Sequence, residues 1–433
     1  MFIEALCAEG GQIYLVGGAV RNMLINLPIK DIDLLVRNIE LVKLTKILNK
    51  YGTVAVVGKR FGVIKYNNEI DIALPRTEFS TGPGYKDFKI VVDHQLELFE
   101  DFKRRDATIN AMGIQLFKTS DILELKNKDA ALKFNKIIDP FGGIWDIQNK
   151  LWRAVGDPFK RFIEDPTRIM RALRQCAELG FTLEEKTAES IKNNFKMIND
   201  ILSESIVRIT EELVRLVLAE SISKCYVIDF LFESGIASLL KLPQKGSVYL
   251  KRCSGVNLRI KMACLLDANC NREADRWTRE FELSAAPHFN RKDVAFIMCV
   301  GELYPCLLDI GMNEDVKMRR LIQKCEKLAP NNGISFVCDL ITYHEIITFE
   351  REFLRDLYSR NKDCILKISD LKLDGNTLRE KYGVDGCGIK IIKERLFACV
   401  TEGYVENIKE NLIMYLGEKN QSSMREERFP CKP

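Results

Sequence analysis

Two aspartates near the N-terminus stand one residue apart in an apolar run. Asp31 and Asp33 belong to the stretch KDIDLLV at residues 30–36, which predicts a β-strand. Alternate side chains share one face of a strand, so we expect both carboxylates to project together while Ile32 and Leu34 face the core. Paired carboxylates suit Mg²⁺, and metal held this way can assist nucleotidyl transfer from a triphosphate. A solvated strand edge is the alternative for so short a pattern.

A third acid is expected on the segment EIDIA at residues 69–73. Glu69 and Asp71 share one face of this predicted strand. Asp71 is the predicted third catalytic carboxylate, and a plain surface role is its alternative.

A glycine pair precedes the acids by about a dozen residues. The stretch LVGGAVRN at residues 15–22 predicts a strand, a tight turn at Gly17 and Gly18, and the start of a helix. Glycines let backbone N–H groups approach phosphate oxygens, and Arg21 can add a charged fork to the same phosphates. We predict a phosphate site here, although an ordinary strand-to-helix turn has the same pattern.

Two arginine-rich segments follow. DFKRRDATINA at residues 101–111 places Arg105 and Asp106 before an apolar strand. EDPTRIMRALR at residues 164–174 repeats arginine every third residue, which lines one face of a predicted helix at 167–179. Asp165 before a proline is a natural N-cap, and a glycine at 180 suits the C-terminal stop. Taken alone, the first segment would be a solvated basic turn, and the arginines of the second would be the solvent-exposed face of a helix.

Together the motifs resemble the class II tRNA nucleotidyltransferase and bacterial poly(A) polymerase family, within the polymerase-β-like nucleotidyltransferase superfamily. The resemblance is strong over residues 13–218, weak through the middle and moderate over 371–416. It implies that Arg105 contacts the triphosphate and that Asp106 braces neighbouring arginines. It also implies that Asp165 and Arg168 form hydrogen bonds to the Watson–Crick edge of CTP or ATP. A carboxylate can accept from the exocyclic amine that C and A share.

The predicted site therefore has three sets of residues. The catalytic set is Asp31, Asp33 and Asp71; the metal ligands are Asp31 and Asp33; and the nucleotide-binding set is Gly17, Gly18, Arg21, Arg105, Asp165, Arg168, Arg171 and Arg174. Arg171 and Arg174 are expected to hold phosphates or to brace the site.

The chain departs from the family pattern after the motif arginine, and its loop region at residues 73–85 departs from the E-x-x-T-x-R version found in some relatives. Asn22 follows the motif arginine, where the family usually has Asp, so an acceptor is kept and a charge is lost. Residues 73–85 resemble the flexible loop of some bacterial CCA-adding enzymes, which favours full CCA addition over CC-only addition. His94, His288 and His344 are never followed by Asp, so no HD phosphohydrolase domain is predicted.

Composition limits the remaining possibilities. The chain has 433 residues, 46% of them hydrophobic, which is too long for one ordinary domain. A net charge of +4 does not by itself indicate nucleic acid, and 14 scattered cysteines without a C-x-x-C pair do not fit a zinc finger. We predict no signal peptide, no membrane span and a cytoplasmic location.

The elements that must position the site predict an α+β fold. Short strands and helices occupy the first part, with residues 77–88 predicted as a loop and 108–117 as a strand. Helical periodicity dominates from about residue 166, and one of the predicted helices runs over residues 227–240. We predict a polymerase-β-like nucleotidyltransferase head followed by an elongated all-helical neck, body and tail. The predicted boundaries are 1–138 for the catalytic head, 139–220 for the nucleotide-selecting and RNA-binding neck, 221–360 for the body, 361–417 for the tRNA-binding tail and 418–433 for a disordered end.

The predicted activity is template-independent addition of CCA to the 3′ end of tRNA from CTP and ATP, with Mg²⁺. No membrane and no obligate protein partner are expected. The alternatives are a poly(A) polymerase, a CC-only or A-only adding specialist, and a catalytically inactive RNA-binding protein. The intact acids and arginines argue against the last.

Overall fold

The computed structural model describes most of the chain, and its residues form two compact units. The described residues are 1–29, 31–57, 63–80, 88–124, 137–199, 206–219, 226–268, 291–311, 314–348 and 352–423. The units are Met1–Ser254 and Gly255–Pro433. All the predicted site residues belong to the first unit.

A mixed sheet organises the beginning of the first unit. Its strands, with those of two small sheets, are β1 Gln12–Val16, β2 Ile32–Arg37, β3 Val54–Val57, β4 Val63–Tyr66, β5 Ile70–Ala73, β6 Arg76–Ser80, β7 Phe88–Val92, β8 Gly113–Leu116, β9 Ile137–Ile138, β10 Leu151–Trp152 and β11 Thr182–Leu183. The seven-stranded sheet has the order β3-β4-β5-β2-β1-β8-β9, while β6 pairs with β7 and β10 with β11.

Strand β2 lies in the middle of the large sheet. It pairs antiparallel with β1 and parallel with β5. Leu34, Leu35 and Val36 are buried because both faces of a central strand are covered, whereas Asp31 and Asp33 are exposed at its N-terminal end. The apolar half of the strand therefore fixes the position of its acidic end.

Helices pack around this sheet and continue beyond it. They are α1 Phe2–Ala8, α2 Gly18–Leu24, α3 Leu41–Leu48, α4 Leu98–Lys103, α5 Thr119–Glu124, α6 Gly143–Gln148, α7 Pro158–Glu164, α8 Thr167–Leu179, α9 Glu185–Asn194, α10 Ile206–Leu218, α11 Val227–Glu233, α12 Ile236–Leu239 and α13 Lys245–Arg252. Helix α8 ends at Gly180, whose φ of +67° is the left-handed cap that its sequence predicted.

Three sequence predictions are corrected in this unit. The loop expected over residues 77–88 contains parts of two paired strands, since Thr77 opposes Val91 and Ser80 opposes Phe88; residues 81–87 lie outside the described residues. The strand expected over 108–117 begins with a 3₁₀ turn, Thr108–Asn110, and is extended only over β8. The helix expected over 227–240 is divided at Gly235, where φ is +88° and a Cβ would come within 2.7 Å of the Phe195 ring.

The described regular elements of the second unit are all helical. They are α14 Leu258–Leu266, α15 Arg291–Leu308, α16 Asp315–Leu328, α17 Gly333–Thr348, α18 Glu352–Asn361, a 3₁₀ turn Ile368–Asp370, α19 Gly375–Tyr382, α20 Gly386–Glu402 and α21 Lys409–Ser423. Helix α21 extends into the end predicted to be disordered, and residues 424–433 lie outside the described residues. No helix in the described ranges is long and apolar enough to cross a membrane.

Candidate active site

The glycine turn after β1 lies between a guanidinium and a carboxylate. Gly17 has a φ of +77°, which favours glycine, and it begins the turn into α2. A Cβ built on Gly17 would lie 3.1 Å from Arg105 Nη1 and 3.6 Å from Asp33 Oδ2. The structure thus brings together three predicted site residues that are far apart in sequence.

Arg21 folds back over the second glycine of the turn. A Cβ on Gly18 would lie 3.2 Å from Arg21 Nη2. The guanidinium donates to Asn22 Oδ1 from Nε at 3.1 Å and from Nη2 at 2.8 Å, and to Asn110 Oδ1 from Nη1 at 2.6 Å. The acceptor that Asn22 retains is therefore used by the motif arginine itself.

Two of the predicted catalytic carboxylates lie on adjacent strands, and Asp31 directly precedes one of these strands. Asp33 on β2 is in register with Asp71 on β5. Desolvation by the surrounding protein raises the pKa of Asp33, and the neighbouring Asp71 and Asp31 raise it further, while Arg105 opposes them. Asp71 also faces Lys65, whose Nζ lies 3.6 Å from Asp71 Oδ1.

A divalent cation fits the chemistry of Asp31 and Asp33. Both are hard oxygen donors, and a cation beside them would offset the repulsion that helps to raise the pKa of Asp33. Within the residues that the structure describes, no group of three or more His, Cys, Asp or Glu side chains is gathered as a metal site. The role of Asp71 as a third catalytic carboxylate stays a prediction.

The Arg105 guanidinium is held by two hydrogen bonds, and one of its nitrogen atoms has no acceptor in the described structure. Its Nη2 donates to Asp101 Oδ2 at 3.3 Å, and its Nη1 donates to the Asn110 carbonyl oxygen at 3.1 Å. Its Nε is buried and has no hydrogen-bond acceptor in the described structure. A buried donor without an acceptor is costly; the Arg105 atom nearest to Gly17 is Nη1, so a ligand beside Gly17 would meet that nitrogen first.

Asp106 joins the basic segment to helix α8. It accepts hydrogen bonds from Arg171 Nη2 at 3.2 Å, Gln175 Nε2 at 3.2 Å and Asn110 Nδ2 at 2.9 Å. Burial alone would raise the pKa of Asp106, but Arg171 and the other donors outweigh it and hold the pKa well below its usual range. This is the bracing role that the sequence motif implied.

The arginines of α8 do not form a solvated face. Arg168 and Arg174 are buried, with 8% and 4% of their surface exposed. Arg174 pairs with Glu212 and Glu178, and Arg171 Nη1 lies 3.4 Å from Glu212 Oε1. The sequence motif RITEEL at residues 208–213 contains Glu212, but nothing in the spacing indicated which arginines it binds.

Asp165 and Arg168, the predicted base-reading pair, are partly engaged within the protein. Pro166, not Asp165 as predicted, occupies the N-cap position of α8, but Asp165 Oδ1 accepts from the Thr167 backbone N–H at 3.0 Å and so caps the first turn from one residue earlier. Its Oδ2 accepts no hydrogen bond from any described residue. Arg168 donates to Glu164 Oε2 at 2.9 Å and to the Arg104 carbonyl oxygen at 2.8 Å. Capping therefore leaves one carboxylate oxygen of Asp165 available.

Comparison with known proteins finds relatives along nearly the whole chain. A family model described as the Poly A polymerase head domain matches residues 13–153. A CCA-adding enzyme of Geobacillus sp. (strain WCH70) is 31% identical over 433 residues, covering 96% of this chain and 96% of the relative. A CCA-adding enzyme of Lactobacillus helveticus (strain DPC 4571) is 37% identical over 219 residues, so this match covers 49% of this chain and only 48% of the relative.

The fold itself is that of a solved relative. The crystal structure of the Bacillus stearothermophilus CCA-adding enzyme in complex with CTP matches with a TM-score of 0.67 and 24% identity, covering 98% of this chain and 97% of that one. The predicted fold class, a nucleotidyltransferase head followed by a helical remainder, is confirmed. Because similarity to the Geobacillus enzyme extends along nearly the whole sequence, this chain belongs to the CCA-adding enzyme and poly(A) polymerase family.

Proposed function

We propose that this chain adds CCA to the 3′ end of tRNA and uses CTP and ATP as its nucleotide substrates. Family membership supports the reaction class, since the relative matched along nearly its whole length is named a CCA-adding enzyme. The observation that best supports a site for it is the position of Gly17 between the Arg105 guanidinium and the Asp33 carboxylate. A triphosphate and the acids that act on it need to meet at such a point.

The triphosphate is bound by arginines around the glycine turn. Arg105 Nη1, the atom of that side chain nearest to Gly17, donates to a phosphate oxygen, and Arg21 adds a second cation over Gly18. Asp31 and Asp33 are the residues that would hold Mg²⁺, which supplies charge neutralisation of the triphosphate and activation of the attacking hydroxyl. Arg171 and Arg174 act as braces, because their contacts are with Asp106, Glu212 and Glu178.

The base is selected at the start of helix α8. Asp165 Oδ2 accepts from the exocyclic amine that cytosine and adenine share, while Oδ1 keeps its bond to the Thr167 N–H. Arg168 is kept next to Asp165 by its bonds to Glu164 and to the Arg104 carbonyl oxygen. Guanine and uracil lack an amine at the equivalent position and are rejected. The tail, residues 361–417, recognises the shape and the phosphates of the tRNA.

The test is extension of tRNA that ends before CCA, with each labelled nucleotide supplied alone and in combination. We expect two C residues from CTP alone and a single further A when ATP is added. A long A tract would instead indicate a poly(A) polymerase, and arrest after C-C or addition of A alone would indicate a specialist. Binding of tRNA without any extension would indicate a catalytically inactive RNA-binding protein.

Two isosteric variants test whether extension of tRNA depends on this site. Asp33→Asn should lower the rate about 10²- to 10³-fold, the usual effect of removing one charge-stabilising group from a site, without loss of tRNA binding. Asp93→Asn is the matched control, because Asp93 is an exposed carboxylate of the same unit that accepts only from the Gln95 N–H among the described residues. Equal activity of the two variants would remove Asp33 from the catalytic set.

A further inference from the structure

Arg21 differs from the other arginines around the site in the chemistry of its partners. Its three hydrogen bonds all end on neutral amide oxygens, two on Asn22 Oδ1 and one on Asn110 Oδ1. Among the described residues, no carboxylate lies within salt-bridge distance of its guanidinium. The arginine is thus fixed in place by groups that carry no charge.

Its neighbours are each paired with an acid. Arg104 and Arg105 share Asp101, at 2.8 and 3.3 Å. The arginines of α8 likewise have acidic partners, namely Glu164 for Arg168, Asp106 and Glu212 for Arg171, and Glu212 and Glu178 for Arg174. Paired charges largely cancel at the distance of a ligand, whereas Arg21 has no ion pair in the described structure, and Asp106 and Glu178 act on it only from beyond salt-bridge distance.

The orientation of the Asn22 amide is set by both of its ends. Its oxygen accepts from Arg21, and its Nδ2 donates to the Pro28 carbonyl oxygen at 3.0 Å. Only this orientation satisfies both neighbours, because a guanidinium is purely a donor and a carbonyl is purely an acceptor. An aspartate here would put a carboxylate oxygen against the Pro28 carbonyl and would neutralise Arg21.

We propose that Asn22 is a positioning residue that aims Arg21 at the nucleotide triphosphate without pairing its positive charge with a carboxylate. The inference rests on the proposed function, because it assigns a triphosphate to the glycine turn. It separates two requirements: the acceptor orients the arginine, and the neutrality of that acceptor sets the strength of the phosphate contact.

The test compares variants that keep or change the local charge. Asn22→Asp keeps an acceptor for Arg21, and we expect the full-length protein to bind CTP at least about fivefold more weakly in calorimetry with Mg²⁺. Inorganic triphosphate should lose affinity by a similar factor, because it shares the phosphates, whereas any binding of cytidine should be unchanged. A merely structural acceptor role makes the opposite prediction, since a carboxylate is the stronger acceptor for a guanidinium.

A second substitution should reverse the loss. Leu27 is 42% exposed, and its backbone N–H donates to the Asn22 carbonyl oxygen at 2.8 Å, so its backbone is fixed next to Asn22. Asn22→Asp with Leu27→Arg restores the local charge and should recover most of the affinity for CTP. Asn38→Asp is the control for charge alone, because Asn38 is exposed at the far end of β2, roughly 16 Å from Asp33 along the strand.

The outcomes distinguish this inference from the function on which it rests. Unchanged CTP affinity in Asn22→Asp would overturn it, and so would a loss that the added arginine does not reverse, since the defect would then be one of shape. Native protein that binds CTP but does not extend tRNA would refute the proposed function and leave this test decisive. Native protein that binds neither CTP nor inorganic triphosphate would refute both.

Discussion

We expect the two carboxylate oxygens of Asp165 to have different roles, one structural and one in base recognition. Oδ1 caps α8 through the Thr167 N–H, and Oδ2 accepts nothing from the described residues. Serine can replace the cap but not the carboxylate, so Asp165→Ser and Asp165→Ala should both raise incorporation of UTP and GTP at least about tenfold. Only the alanine variant should also lose about 1 kcal/mol of unfolding free energy. Primer-extension assays with single nucleotides and urea unfolding measure the two effects.

The serine variant is the informative member of this pair. Selection of C and A that is intact in Asp165→Ser but lost in Asp165→Ala would assign Asp165 to capping alone. Intact selection in both would place base recognition elsewhere, and Arg168 would be the next residue to test.

Because of Asp106, we expect the free energy of unfolding of the head to fall at acid pH. Its folded pKa is depressed by Arg171, Asn110 and the Ala107 N–H despite burial. A depressed carboxyl pKa contributes stability that is fully present above the unfolded value of about 3.9 and is lost as the pH falls below it. Asp106→Asn should therefore cost about 2–3 kcal/mol at pH 7, and the difference from the native protein should shrink between pH 4 and pH 2.

The measurement uses tryptophan fluorescence during urea unfolding, to which Trp152 contributes as one of the three tryptophans of the chain. This indole is fully buried, and its Nε1 donates to Gln175 Oε1 at 3.1 Å, next to the Asp106 contacts. A stability difference between Asp106→Asn and native protein that stays constant down to pH 2 would show that Asp106 titrates normally in the folded state.

At the scale of elements, helix α8 is fixed by carboxylates from outside itself. Glu212 of α10 pairs with Arg171 and Arg174. Glu212→Gln should cost about 1.5–3 kcal/mol, because it removes a charged acceptor from two arginines, and it should also raise the KM for both nucleotides. Glu211→Gln is the matched control: Glu211 is exposed on the same helix, and the change should stay within about 0.5 kcal/mol.

Equal stability of these two variants would mean that the Glu212 contacts contribute no more than exposed ion pairs. Normal stability with a raised KM in Glu212→Gln alone would instead assign Glu212 to nucleotide binding. Urea unfolding followed through Trp152 and steady-state kinetics with CTP distinguish the two cases.

The sequence predicted those elements whose signals are local. Strand β2 follows from an apolar run, and α8 follows from a proline start, a three-residue arginine spacing and the stop at Gly180. The β6–β7 hairpin was missed because its polar residues and the glycines of the 73–85 segment favour a loop. The break in the predicted helix over 227–240 depends on contact between Gly235 and the distant Phe195 ring, which no local pattern contains.

The site was predictable by residue type but not by partner. The acids and the glycine pair are consecutive motifs, so their proximity follows from adjacent strands. The bond between Asp106 and Arg171 joins residues 65 positions apart, and that between Arg174 and Glu212 joins residues 38 apart. Such pairings depend on helix packing, which is why two arginines predicted as phosphate ligands or braces are found in ion pairs.

At the scale of the whole molecule, each unit has a hydrophobic core of its own. The first unit packs Tyr14, Leu35 and Phe102 together with Val155, and the second packs a cluster that includes Leu373 and Leu396. A domain with its own core can in principle fold alone. We therefore expect a protein ending at Ser254 to fold, because this boundary separates the two units.

In the truncated protein, binding of CTP and binding of tRNA should be affected differently. All the proposed nucleotide ligands precede Ser254, so its affinity for CTP should stay within about threefold of the full chain, whereas affinity for tRNA lacking CCA should fall at least about tenfold without the predicted tail. Calorimetry and filter binding measure the two. Retained tRNA affinity would move recognition into the first unit, and lost CTP affinity in a folded fragment would show that nucleotide binding requires the second. Either result would change which unit is predicted to bind which substrate. Neither would alter the assignment of the glycine turn as a phosphate site.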